Sequence, residues 1–245
     1  MISSNLQTSV VRPKRTRIKI CGMTDVAEVA HAIAHGVDAI GMILYADSPR
    51  TISLSQAAKI RQYVPAFVSL VGVFVNADKA FIEQATDQVG LDIVQLHGDE
   101  DDSFGQSLSR PFIKAIRAKT AEQVLHDCQQ FPSARAILLD PYVKGQHGGT
   151  GQSLNLDLWP NSLQSDDISN DDVSETKSLS KPITLILAGG LSPTNVASRI
   201  QALEPYAVDL NSGLEAEAGR KDPRLVERAI KVILQQDANL SGVQR

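Results

Sequence analysis

Five residues able to move protons or bind anions stand where apolar runs end. Cys21 closes RIKIC, His97 closes DIVQLH and Asp140 closes ARAILLD, while Arg50 follows VDAIGMIL across a polar loop. Asp209 lies in AVDL with Asn211, Ser212 and Gly213 directly after it, and Gly189-Gly190 follows PITLILA. A thiolate is a base; a free thiol titrates near ~8.5, and Lys19, two residues back on the same strand face, favours the ionised form. A carboxyl leaving an apolar strand is partly desolvated, which raises its pKa and suits Asp140 to donate a proton. Each has a plainer reading. A free cysteine is usually a small buried hydrophobe, and Asp140 before Pro141 has the look of a turn residue. Cys128, inside a helical pattern, reads as packing.

The glycines of AGGLSPTNV (188–196) and LNSG (210–213) let backbone N–H groups approach an anion, and helix N-termini add a favourable dipole. Tight turns would need the same residues. Arg50 is either a solvated loop charge or the partner of a second anionic group, and His97 either a rim residue or part of the site. KGQHGGTG (144–151), beside the candidate acid, fits a lid over substrate. No His/Cys/Asp/Glu grouping shows metal-ligand spacing, so no metal is expected.

Positioning such groups requires strands that share one end. Apolar runs over 17–20, 37–44, 67–75, 92–96, 111–117, 134–139, 182–188 and 207–210 read as eight strands. Between them lie helical patterns over 26–33, 53–64, 78–89, 100–108, 120–130, 192–203 and 223–235. The first carries Val26, Val29, Ala30 and Ile33 on its apolar face and starts with Asp25 and Glu28 in a capping-box spacing. Near-continuous apolar strands imply a parallel sheet covered by helices. Eight strand–helix units at this length imply an α/β chain folded as one (β/α)8 TIM barrel, whose reactive groups sit at the C-terminal ends of the strands. An open doubly wound sheet is the rival, but no GxGxxG follows the first strand. Strand ends recur at intervals of roughly 21 to 31 residues, apart from one of about 49. That excess holds the glycine-rich loop and an acidic, Ser-rich insertion at about 161–181, expected to be a surface feature. The domain reading is therefore a tail over 1–16 and a barrel over 17–245.

With 245 residues, 42% hydrophobic, 21% charged and a net charge of −4, the composition is ordinary for a globular protein. It points to no nucleic-acid or membrane partner, and no apolar run approaches the ~20 residues of a membrane span. The first sixteen residues lack the apolar region of a secretory signal. Two cysteines make no disulfide framework, so a reducing cytoplasm is expected.

Eight motifs in order, KICGMT (19–24), SPR (48–50), VGVFVN (71–76), VQLHGDE (94–100), LLDP (138–141), GGTG (148–151), LAGGLSPTNV (187–196) and VDLNSGLE (208–215), resemble the phosphoribosylanthranilate isomerases of tryptophan biosynthesis. The resemblance runs from about Arg17 to the last helix. It implies an Amadori rearrangement of N-(5-phosphoribosyl)anthranilate to 1-(2-carboxyphenylamino)-1-deoxyribulose 5-phosphate, with no cofactor. It further implies that Asp140 is the general acid and Cys21 the general base. Gly189, Gly190, Ser212 and Gly213 would hold the phosphate, Arg50 would face the anthranilate carboxylate, and Asp209 and His97 would order the rim. The family often has serine where this chain has Asn211, which can still hydrogen-bond. A monomer or a homodimer fits the resemblance. Two alternatives are the sister isomerase of histidine biosynthesis, which uses aspartate where this chain has Cys21, and a non-catalytic phosphosugar-binding barrel.

Overall fold

Alternation along the strands sends successive side chains to two apolar environments, the barrel interior and the shell beneath the helices. The computed structural model describes residues 15–141, 154–160 and 184–240. Its strands are β1 (Arg17–Ile20), β2 (Ala39–Tyr45), β3 (Ser69–Phe74), β4 (Ile93–Leu96), β5 (Phe112–Ala118), β6 (Ala136–Pro141), β7 (Leu185–Leu187) and β8 (Ala207–Leu210). All pair in parallel with their sequence neighbours, and β8 pairs with β1, so the sheet closes into an eight-stranded barrel. Ile113, Ala115, Ala136, Leu138, Ile186, Ala188 and Ala207 pack inside it. Their neighbours along the strands, including Ile18, Ile20, Phe112, Ile137, Leu139, Leu187 and Val208, pack outward against the helices.

The helices are α1 (Val26–Ala34), α2 (Leu54–Arg61), α3 (Lys79–Val89), α4 (Asp102–Gln106), α5 (Ala121–Gln130), α6 (Val196–Leu203) and α7 (Pro223–Leu240). Several start where a side chain caps the first turn: Ser53 accepts from the Gln56 N–H and Thr120 from the Gln123 N–H. The glycine-rich loop and the acidic insertion expected between β6 and β7 lie outside the described residues; a short 3₁₀ turn, Leu156–Leu158, represents that unit. Among the described residues no helix is long and apolar enough to cross a membrane.

Four expectations change. Asp25 caps α1 through the Ala27 and Glu28 N–H groups, but Glu28 does not reciprocate; its carboxylate accepts from the Lys221 N–H. Ala30 is exposed and Ala32 takes its place on the buried face of α1. The helix expected from Ser192 starts at Val196, because Asn195 ties the preceding loop by accepting from the Ser192 N–H and donating to the Gly190 carbonyl. At the other end of the fold, Arg15 and Thr16 belong to the barrel rather than to a tail. Arg15 pairs with Asp38, and Thr16 donates from its N–H and its hydroxyl to Asp237 of α7, both at 2.7 Å. A further element had no counterpart in the sequence reading: after a 3₁₀ turn, Ser212–Leu214, strands β9 (Glu215–Glu217) and β10 (Arg220–Lys221) form an antiparallel hairpin.

Candidate active site

The strands deliver one side chain after another to a cavity of about 1000 Å³ at the C-terminal mouth of the barrel. Cys21, Arg50, His97, Asp140, Gly189, Gly190, Asp209, Asn211, Ser212 and Gly213, all the residues expected at the site, line it. Inward alternation explains the convergence. Cys21 continues the parity of Lys19 just past β1, and Asp140 that of Ala136 and Leu138 in β6. Asp209 follows Ala207 in β8. Asp140 is thus the penultimate residue of β6 rather than a turn residue, only 7% exposed. Cys128 is fully buried on the inner face of α5, and burial pushes its thiol up to about 12, so it is inert packing.

Register sets the electrostatics at the floor of the site. Lys19 and Asp209 are cross-strand partners in β1 and β8, and Lys19 Nζ donates to Asp209 Oδ2 at 2.6 Å in a nearly dry setting. Gly41 on the adjoining strand makes room: a Cβ there would lie 2.8 Å from Cys21 Sγ and 3.1 Å from Lys19 Cε. Burial pushes the Cys21 thiol up, and the Lys19 ammonium pulls it back by charge and hydrogen bond; burial prevails. Lys19 thus favours the thiolate, as expected, but burial outweighs it and the nearby Asp209 charge adds to the rise. Burial also raises the Asp209 carboxyl, against the pull of Lys19. For Lys19 the order reverses: burial lowers it, but Asp209 and Cys21 together raise it. The ammonium therefore stays charged.

On the opposite wall, His97 Nε2 lies 3.5 Å from Asp140 Oδ2. Gln95 Nε2 donates to His97 Nδ1 at 3.1 Å, so a neutral ring carries its proton on Nε2, toward Asp140.

Arg50 is anchored before any ligand arrives. Its Nε and Nη2 donate to the two Glu215 carboxylate oxygens, each at 2.8 Å. Lys221 Nζ donates to Glu215 at 2.8 Å and to the Asn211 side chain at 2.9 Å. Within the described residues Arg50 Nη1 has no bond, so a donor remains for a ligand. Gly22, at φ +69°, permits this crowding; a Cβ would lie 2.7 Å from Asn211 Oδ1 and 2.9 Å from Arg50 Cδ. Lys221 and Glu215 are therefore site residues that sequence reasoning missed as such. Glu215 closes the VDLNSGLE motif, whereas Lys221 lies in a polar turn whose partners are decided by the hairpin.

Beyond β7 and β8 the chain forms a concave anion cradle. Gly189 (φ +86°) passes so close to Pro141 that a Cβ would lie 2.0 Å from Pro141 Cδ. At Gly213 a Cβ would meet the Leu191 carbonyl oxygen at 2.1 Å, so the two loops pack backbone to backbone. The N–H groups of Ser212 and Gly213 open the 3₁₀ turn and have no acceptor within it. Backbone donors at the start of a helical turn suit a phosphate. A thiol, a carboxyl and a run of backbone donors thus line one cavity.

Comparison with known proteins agrees with this chemistry. The family described as N-(5'phosphoribosyl)anthranilate (PRA) isomerase matches residues 18–232. An N-(5'-phosphoribosyl)anthranilate isomerase of Pseudomonas fluorescens is 41% identical over 226 residues, covering 92% of this chain and 97% of the relative. The crystal structure of the phosphoribosyl anthranilate isomerase of Thermotoga maritima is 30% identical, with a TM-score of 0.77 over 90% of this chain and 99% of that one. Another isomerase structure, in complex with reduced 1-(o-carboxyphenylamino)-1-deoxyribulose 5-phosphate, has a TM-score of 0.74 at 30% identity, with the same coverage of both chains.

Proposed function

The chain belongs to the PRA isomerase family and performs that isomerisation in tryptophan biosynthesis; from this premise we propose which of its residues carry each step. Asp140 protonates the furanose ring oxygen of N-(5'-phosphoribosyl)anthranilate as the anomeric nitrogen pushes in its lone pair. The C–O bond breaks and an open-chain iminium forms. The Cys21 thiolate then removes the proton from C2, and the electron pair of that bond flows into the C=N⁺ group. The product is an enolamine. Ketonisation moves a proton from the C2 hydroxyl to C1, so C2 is oxidised and C1 reduced within one molecule. The substrate's own iminium is the electron sink, and no step calls for a cofactor. Each positioned proton transfer typically contributes ~10²- to 10⁴-fold.

The remaining residues orient the substrate. Ser212, Gly213, Gly189 and Gly190 hold the phosphate, with Asn211 closing one side. Arg50 offers Nη1 to the anthranilate carboxylate while Glu215 fixes its plane. His97 stands beside Asp140, its Nε2 3.5 Å from the carboxylate. A reducing cytoplasm suits a reaction that depends on a free thiol.

The observation that carries this reading is that Cys21 and Asp140 line a single cavity with the cradle between them. Purified protein given freshly made phosphoribosylanthranilate should consume its fluorescence faster than spontaneous hydrolysis. In Cys21→Ala and Asp140→Ala the decay should return to the spontaneous rate with the fold intact. Full activity in either variant would overturn the assignment.

A further inference from the structure

Outside the barrel mouth, α1 and α7 bring His31, His35 and Glu227 together. The histidines are one helical turn apart, so both rings leave the same face of α1. Their ring centroids are 4.3 Å apart. Glu227 lies on the second turn of α7, which packs beside α1. One ligand-capable atom from each of the three residues lies within 4.8 Å of the other two.

Each ring already uses one nitrogen. His31 Nε2 lies 3.0 Å from the Pro223 carbonyl oxygen, and His35 Nδ1 lies 2.8 Å from the His31 carbonyl oxygen. A carbonyl only accepts, so those nitrogens carry the protons. The lone pairs of the neutral rings are therefore on His31 Nδ1 and His35 Nε2. Histidines that bind metals have this arrangement: one N–H is spent on a carbonyl or carboxylate, which fixes the tautomer, and the other nitrogen is left to ligate. Among the described residues the Glu227 carboxylate has no hydrogen bond or ion pair.

We propose that His31 Nδ1, His35 Nε2 and a Glu227 carboxylate oxygen form a site for a divalent transition ion of the Zn²⁺ type, which ties the first helix to the last. Two imidazoles and a carboxylate, with water in the fourth position, suit Zn²⁺, Ni²⁺ or Cu²⁺ and not the oxygen-seeking Mg²⁺ or Ca²⁺. Bonds of ~2.0–2.1 Å to a tetrahedral ion set neighbouring ligand atoms ~3.3 Å apart. Side-chain rotation at this partly exposed surface supplies the remaining approach. The expectation of no metal overlooked the site because the third ligand is distant in sequence.

The test uses the full chain, stripped with a chelator, and Zn²⁺ alone in calorimetry, with Co²⁺ absorbance as a second readout. One ion should bind, and at a hundredfold excess over Kd the unfolding midpoint should rise by about 5 °C. The Co²⁺ complex should lack the thiolate charge-transfer band that Cys21 or Cys128 would produce. His31→Ala and His35→Ala should each weaken binding at least ~10-fold and Glu227→Gln less, with isomerase turnover of the metal-free variants unchanged. Absence of binding at submillimolar Zn²⁺, undiminished binding in His35→Ala, or a thiolate band would each overturn the proposal.

Discussion

At the scale of single residues, Cys21 is held between opposing influences. Burial favours the neutral thiol and Lys19 favours the thiolate, with burial prevailing. A base that is neutral at rest makes the rate depend on pH in one direction: kcat/KM should rise as pH climbs through the thiol's elevated pKa. Replacing Lys19 by Met removes the pull toward the thiolate and leaves the Asp209 charge, which itself disfavours it. The rising limb of the profile should then move to still higher pH. Because Lys19→Met alone strands a buried carboxylate at a cost of about 3–5 kcal/mol, the double variant Lys19→Met/Asp209→Asn is the cleaner comparison. In that variant the pull lost with Lys19 still exceeds the repulsion lost with Asp209, so the limb should move up by less, and a lowered limb would contradict the part assigned to Lys19. The proposed base and acid make a simpler prediction. Cys21→Ala and Asp140→Ala should abolish turnover while still binding a reduced product analogue through the phosphate cradle, as calorimetry would record.

At the scale of elements, the hairpin β9–β10 governs Arg50. Glu215 is buried, which alone would raise its carboxyl, but hydrogen bonds from Arg50 and Lys221 outweigh this and hold it below the usual carboxylate range. A depressed carboxylate contributes stability that is present above its ordinary pKa of ~4.3 and is lost as pH falls through the depressed value. Glu215→Gln leaves two cations sharing one side chain and should destabilise the fold by about 3 kcal/mol at neutral pH. Urea melts at pH 7 and near pH 3 should show the variant losing less stability on acidification than the parent. The same substitution should raise KM more than it lowers kcat, because Arg50 loses the partner that orients it. Equal KM values would mean that the hairpin has no part in substrate binding.

At the scale of the whole molecule, the barrel is closed by long-range polar contacts as well as by the β8–β1 ladder. Asp237, near the end of α7, accepts from both the N–H and the hydroxyl of Thr16 at the start of β1, and both residues are buried. Removing the acceptor leaves two buried donors unpaired, at about 1–3 kcal/mol each. Asp237→Ala should therefore lower the unfolding midpoint by roughly 5–10 °C with little change in kcat or KM. A large loss of kcat at unchanged stability would be the contrary result.

Much of this protein could be read from one strand of text, because the information was local. Period-two alternation marks which residues of a strand face inward, and glycines mark where backbone must approach backbone. Eight units of that kind allow few arrangements other than a closed barrel, and alternation alone carries Cys21, His97 and Asp140 to its mouth. Partnership was decided only in three dimensions. Register across the closing seam sets Lys19 against Asp209 and thereby limits its effect on Cys21. The hairpin, invisible to periodicity because its strands are two and three residues long, delivers Lys221 and Glu215 to Arg50. The packing of α1 on α7 gathers His31, His35 and Glu227. Hydrophobic pattern repeats along the chain and can be recognised there, whereas charge pairing depends on distances between residues far apart in it, and those exist only once the barrel has closed.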